Sequence, residues 1–189
     1  MVASLCRRPY VGVLMLAWRV AGDRAKPPGM SEASFTAIPV GVIATPWRAI
    51  EDCPRNGRQP DPAPVCRVRV FEPFLPGLRG LEGMSHLILL YWLDRVKSPQ
   101  LVFTPPFDNQ PRGVFATRGP RRPNPIGLSV VKFDGFDGPD QLLVRYLDCV
   151  DGTPLLDIKP YLPTTDAEPD AAMGWLAPHA TRNANTGPA

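Results

Sequence analysis

Three short stretches of this chain carry most of its chemically useful side chains. The first is "RGVFATRGPRRPNP": from Arg112 to Arg122 there are four arginines and no Asp or Glu. That much unpaired charge does not suit a buried segment, and Pro123-Asn124-Pro125 is too rigid for a loose tail. It reads as a stiff cationic loop held by a β-framework, and arginine grips carboxylates and phosphates bidentately. The second stretch is "CPRNG" (residues 53–57), where Arg55 and Asn56 offer planar donors between Pro54 and Gly57. Alone it is a weak signal, since most such loops are only loops. The third is "LDCVDGTPLLDIKPYLP", in which Asp148, Asp151 and Asp157 surround a tight Asp-Gly-Thr-Pro turn, followed by Lys159, Pro160 and Tyr161. An Asp before Gly commonly caps its own turn. A pocket lined by that turn would also present backbone groups and a carboxylate to a small ligand.

Something regular must position these stretches, and the chain offers strands. With 25 Pro and 16 Gly in 189 residues, long helices are excluded over most of the chain, because each proline removes a donor and clashes with the preceding turn. "AIPVGVI" is a strand closed by the turn signal Thr45-Pro46. Residues 65–71, "VCRVRVF", alternate Cys66, Val68 and Val70 with Arg67 and Arg69, which predicts a half-buried strand. Residues 86–93, "HLILLYWL", form a continuous apolar run expected to be buried on both faces. "GLSVVKF" and "QLLVRYL" join through "DGFDGPD" as a hairpin, and "TPLLDIKPYLP" is a last strand. The one helical candidate is a turn or two around residues 75–82. The fold expected is mainly β, an antiparallel β-barrel with few short helices.

Residues 30–163 therefore read as one barrel domain and residues 164–189 as a C-terminal arm, with Trp175 either docking on a neighbour or idle. Residues 1–29 read either as an over-long start or disordered extension, with Met30 the true beginning, or as a targeting signal. Their apolar run is too short to span a bilayer, and nothing after Met30 looks membrane-spanning.

Several function classes fall away. No GxGxxG joins a strand to a helix, and neither GxxxxGK[ST] nor HExxH occurs. His86 and His179 are the only histidines, and His86 sits inside an apolar strand, where a packed histidine is the simpler reading than a catalyst. Four cysteines without CxxC spacing point to no metal site and to a reducing, cytoplasmic setting. The net charge of +3 comes from the first 29 residues, which hold five bases and one acid, so the body is close to neutral. Local charge is not: nine acids and two bases stand between Asp134 and Asp170. A basic loop beside an acidic region suits a ligand with both an anionic and a cationic end.

In order, "VGVIATPW", "RGLEGMSHLILLYWL", "GVFATRGPRRPNPIGLSVVKF" and "LDCVDGTPLLDIKPYLP" resemble the TsaA-like family, also called the TrmO or YaeB family, of S-adenosylmethionine-dependent tRNA methyltransferases. The resemblance covers residues 35–163. It implies a homodimeric barrel, outside the Rossmann group, that binds S-adenosyl-L-methionine near the subunit interface. Carried over by position, the cofactor contacts fall on Pro54, Arg55 and Asn56, on Leu93 and Asp94, on Arg118, on Leu128, and on Asp151, Gly152, Thr153 and Pro154. Two positions depart from the family pattern: Asn56 stands where Gln is common, and Leu93-Asp94 where an aromatic–His pair is common. The small C-terminal domain of longer bacterial members also has no counterpart in residues 164–189. The implied reaction is N6-methylation of threonylcarbamoyl-adenosine at position 37 of tRNA. Arg121, Arg122 and Asn124 would then face the anticodon loop, with Lys159 and Tyr161 orienting the substrate and Asp151 as general base or only a pocket wall. Two other readings stay open: a cofactor-binding protein without tRNA activity, and a methyltransferase for a small molecule.

Overall fold

The computed structural model describes residues 36–179. The strands are β1 (Gly41–Ala44), β2 (Cys66–Val70), β3 (His86–Trp92), β4 (Val102–Phe103), β5 (Arg112–Gly113), β6 (Ile126–Phe136), β7 (Gln141–Arg145) and β8 (Thr153–Pro160). Six of them close into a barrel in the order β1-β2-β7-β6-β3-β8, every neighbouring pair antiparallel, while β4 and β5 form a separate two-stranded ribbon. The mainly-β barrel expected from the sequence is the fold found.

Side-chain alternation explains why these segments close on themselves. In β2, Cys66, Val68 and Val70 point inward and Arg67 and Arg69 outward. Ile43, Val68, Leu87, Leu89, Val131, Leu142, Val144 and Leu155 are all 0% exposed and fill the interior. Each such side chain contributes roughly 1.5–3 kcal/mol when removed from water. β6 is long because it serves two partners: its first half pairs with β3 and its second with β7, with an irregularity between Phe133 and Gly135. Gly135 adopts φ 109° there, a conformation open to glycine and costly for other residues.

β3 differs from expectation. Leu87, Leu89 and Tyr91 are buried, but Ile88, Leu90 and Trp92 on its outer side are only half-buried. A barrel strand has one side in the core, so the continuous apolar run leaves a greasy outer stripe in the single chain. The expected helical turn is a 3-10 run at Glu72–Leu78, slightly earlier than residues 75–82, since Pro73 and Pro76 deny it an α-helical ladder. The described part of the arm, up to residue 179, lies on its own chain: the Trp175 indole donates to the Ala116 carbonyl at 3.0 Å, stacks on Phe107 and lies under the Arg112 guanidinium. The reading of residues 1–29 falls outside the described residues.

Antiparallel closure fixes where function can sit. β1, β3 and β7 end at the same rim where β2, β6 and β8 begin. The connections spanning 45–65, 93–125 and 146–152 therefore all emerge at that rim. The three chemically suggestive stretches belong to these three connections.

Candidate functional site

The rim is stitched before it can bind anything. Residues 45–47 run beside residues 147–151: Thr45 Oγ1 donates to the Cys149 carbonyl at 2.9 Å, Trp47 Nε1 to the Leu147 carbonyl at 3.4 Å, and Asp151 N to the Trp47 carbonyl at 2.7 Å. Arg95, just beyond β3, donates to the carbonyls of Arg48 and Asp151 at 3.1 and 3.0 Å. The Asp151 carboxylate belongs to the same stitching, for Oδ1 accepts the Thr45 N–H at 3.1 Å and Oδ2 pairs with Arg48. Gly152 takes φ 82° at the turn, Thr153 is buried with its hydroxyl on the Val150 carbonyl, and Pro154 lies opposite Val42. Two open depressions, of about 320 and 330 Å3, flank β1 outside the barrel and share Ala44, Arg67 and Asp151.

The 53–57 loop is held by a close backbone approach. Gly57 sits against the Tyr146 backbone with no room for a Cβ. Tyr146 takes the left-handed φ of 77°, and the Arg58 guanidinium lies 4.3 Å from its ring centroid. Asn56 Oδ1 accepts the Arg58 N–H at 3.0 Å, a local turn that the longer glutamine side chain makes less readily. Arg55 is exposed and Pro54 half-buried.

On the other side of the rim, Leu93 N donates to the Pro125 carbonyl at 2.8 Å, which brings Leu93 and the half-buried Asp94 to the entry of β6. Arg118 donates to the Leu128 carbonyl at 3.0 Å, so Leu93, Asp94, Arg118 and Leu128 gather at the ends of two paired strands. Arg121 is exposed and donates to Gln100 Oε1 at 3.2 Å. Arg122 is half-buried and donates to the carbonyls of Val114 and Thr117 at 3.0 and 2.8 Å, so it shapes the loop from within. Asn124 is exposed at the turn.

Lys159 and Tyr161 are not at this rim. β8 runs away from it, so Lys159 lies opposite Ile88 and ion-pairs with Asp157 at 2.7 Å, while Tyr161 lies edge-on to His86 at the far end.

One site residue was given no role in the sequence reading. Asp148 enters there only as one of three turn aspartates, yet it joins the three stretches. The Tyr91 hydroxyl donates to its Oδ1 at 3.1 Å and lies 2.9 Å from Ser129 Oγ. Burial pushes the Asp148 carboxyl above the ordinary carboxylate range, against the pull of Tyr91, its own N–H, Arg118 and Ser129. Burial, followed by the Asp148 charge, likewise raises the Cys53 thiol. The available signal was local: Asp148 stands between Leu147 and Cys149, both buried, where an acid is out of place unless partnered. Among the described residues no group of three or more His, Cys, Asp or Glu is placed to hold a metal, and no helix is long and apolar enough to cross a membrane.

A closed antiparallel barrel of six strands lies outside the Rossmann class. More narrowly, the profile described as tRNA-methyltransferase O N-terminal domain matches residues 42–167, and the chain belongs to that family. An Archaeoglobus fulgidus protein named "S-adenosyl-L-methionine-binding protein" is 42% identical over 128 residues, covering 68% of this chain and 90% of that protein. An Eikenella corrodens protein named "tRNA (adenine(37)-N6)-methyltransferase" is 48% identical over 88 residues, covering 46% of this chain and 47% of that one. The crystal structure of TrmO from Pseudomonas aeruginosa superposes with a TM-score of 0.63 at 36% identity, covering 75% of this chain and 62% of that one. The chain spans less than two thirds of several longer relatives, and 37% of one archaeal protein.

Proposed function

We propose that this chain is an S-adenosyl-L-methionine-dependent methyltransferase acting on tRNA, at N6 of threonylcarbamoyl-adenosine at position 37. The observation that carries the reading is the rim cluster in which Arg118, Leu128 and Asp148 stand together beside residues 53–57. The donor set fits such a cofactor. Arg118 spends one N–H on Leu128 and keeps the rest of its fork for a carboxylate. Half-buried Asp94 suits an ammonium or sulfonium, and the Asp151–Pro154 turn offers backbone groups to a base edge.

When bound, the cofactor supplies an electrophilic methyl group on a positive sulfur. The chain's own work is to orient the acceptor, exclude water and manage a proton. Alignment supplies much of the acceleration in such transfers. Arg121 meets RNA phosphate, with exposed Asn124 beside it, and Arg122 keeps the loop in shape. The Arg48 pairing makes Asp151 an anchor for the turn in this reading. Lys159 and Tyr161 reach an acceptor only if that acceptor, or a second copy of the chain, bridges the two rims. A homodimer is part of the reading: Ile126 and Leu128 are 44% and 43% exposed beside Ile88, Leu90 and Trp92, a stripe a second barrel would cover. So is a cytoplasmic setting.

The archaeal relative that this chain nearly spans is named only for binding the cofactor, which favours, as a second reading, a binding protein without tRNA activity. Labelled methyl transfer to bulk tRNA, run beside a panel of small amines and amides, separates the readings. Label in tRNA supports the first, label only in a small molecule rejects the RNA substrate, and cofactor bound without transfer leaves the second.

A further inference from the structure

A polar thread runs through the mostly apolar barrel wall up to the looped rim. Ser129 on β6, Tyr91 on β3 and Asp148 beyond β7 follow one another at 2.9 and 3.1 Å, rising from the buried wall to the looped rim. Gly127 makes the thread possible, because the Tyr91 ring occupies the space its Cβ would need. A carboxylate placed part-way into such a wall costs free energy unless it is partnered. Tyr91 holds Oδ1, Ser129 and the residue's own N–H also favour the ionised form, and Arg118 acts from the adjacent loop. Asp151 has both oxygens engaged by the chain itself, which leaves it poorly placed to take up a proton.

We propose that Asp148 is the proton acceptor of this site, its carboxylate aimed by the Tyr91 hydroxyl and flanked by the Arg118 guanidinium. This rests on the methyltransferase reading above. In the transfer an N–C bond forms from the acceptor nitrogen's lone pair, and the methyl C–S bond breaks with its electrons left on sulfur. The N–H proton passes to Asp148 while the N–H bonding pair stays on nitrogen, and Asp148 then releases that proton to water. A urea-type nitrogen, whose lone pair is delocalised, is the kind of acceptor that needs such a base.

The groups facing Asp148 fix the expected pH behaviour. They are Tyr91 and Ser129 from the barrel wall, Arg118 from the loop before β6, Cys149 next in the chain, and Cys53, itself near Arg95, Asp52 and Glu51. The ionised carboxylate is the active form, so the rate falls as pH drops through its pKa. Burial places that acid limb above the ordinary carboxylate range. Tyr91→Phe removes a donor that favours the ionised form, so the limb moves to higher pH by about one unit.

The test compares wild type, Asp148→Asn and Tyr91→Phe by cofactor calorimetry, single-turnover transfer to tRNA across pH, and thermal unfolding of the free protein across pH. Expected for Asp148→Asn are cofactor affinity within about threefold of wild type, a rate lower by about 10²–10⁴-fold, and loss of the acid limb. Wild-type stability should fall relative to Asp148→Asn as pH rises through the Asp148 pKa, because a raised acid destabilises the fold once ionised. Tyr91→Phe supplies the shifted limb even where Asp148→Asn folds poorly. An unchanged rate and limb in Asp148→Asn overturns the inference. So does a tenfold or greater loss of cofactor affinity with the rate at saturation intact, which would make Asp148 a binding group. A wild type that transfers to no acceptor overturns the underlying reading, and the inference with it.

Discussion

The Arg118 guanidinium donates to the Leu128 carbonyl at 3.0 Å, across 10 positions of chain that include the proline-rich turn. This contact pins the cationic loop to the strand entering the barrel wall. It also aims the rest of the guanidinium fork along the rim. Arg118→Lys keeps the charge and loses the fork. We expect cofactor affinity to fall about 10- to 100-fold, the size of a lost charge-assisted hydrogen bond, with little change in melting temperature. Calorimetry beside a thermal melt checks both, and unchanged affinity would remove Arg118 from the cofactor site.

Two glycines hold the site by close approach. Gly57→Ala would press a methyl into the Tyr146 backbone, whereas Gly127→Ala meets the Tyr91 ring, a side chain with more freedom to adjust than backbone. Overpacking costs about 1–3 kcal/mol, and we expect Gly57→Ala at or above the top of that range and Gly127→Ala within it. Urea unfolding of the two variants gives the order. The reverse order would mean that the 53–57 loop moves more freely than its packing implies.

How much of this was open to reading from the sequence depended on periodicity. β2 shows its period of two in "CRVRV", so its faces were assigned correctly, and the Asp-Gly and Pro-rich turns marked the loops. Antiparallel alternation then brought Arg118, Leu128, Leu93 and Asp94 together. Lys159 and Tyr161 show the limit: they are near Asp151 in sequence, but a strand carries them to the far rim. Asp148 shows another, because its role comes from Tyr91, 57 positions away. Nor does one-dimensional charge counting distinguish Arg121, which faces solvent, from Arg122, which bonds inward to backbone carbonyls.

The two arginines should therefore behave differently. Arg121→Glu should leave the fold and cofactor binding intact, weaken tRNA binding, and reduce the salt dependence of that binding by about one phosphate contact. Arg122→Ala should loosen the loop and weaken the cofactor and the tRNA together. Titrations with both ligands at two salt concentrations distinguish these patterns. Equal effects from both variants would contradict the assignment of Arg122 to the loop's interior.

Acid stability should depend on the β6–β7 end of the barrel. Partial burial works to raise the Asp134 carboxyl, but bonds to Arg145 and Lys132 outweigh it and hold the group below its ordinary value. A depressed carboxylate stabilises the fold above its unfolded pKa of about 3.9, and that contribution is lost as pH falls through the folded value. Asp134→Asn should be less stable than wild type at pH 7 and converge with it in acid. A gap that does not narrow below pH 4 would show that the ion pairs are not its source.

The proposed methylation of tRNA at this rim is tested most directly by a mass analysis of nucleosides. Total tRNA from cells lacking the modification is incubated with the full chain and S-adenosyl-L-methionine, then digested. Methylated threonylcarbamoyl-adenosine is expected, at a level that falls to near background with Asp148→Asn. Tightly bound cofactor with no methylated nucleoside would contradict the proposal.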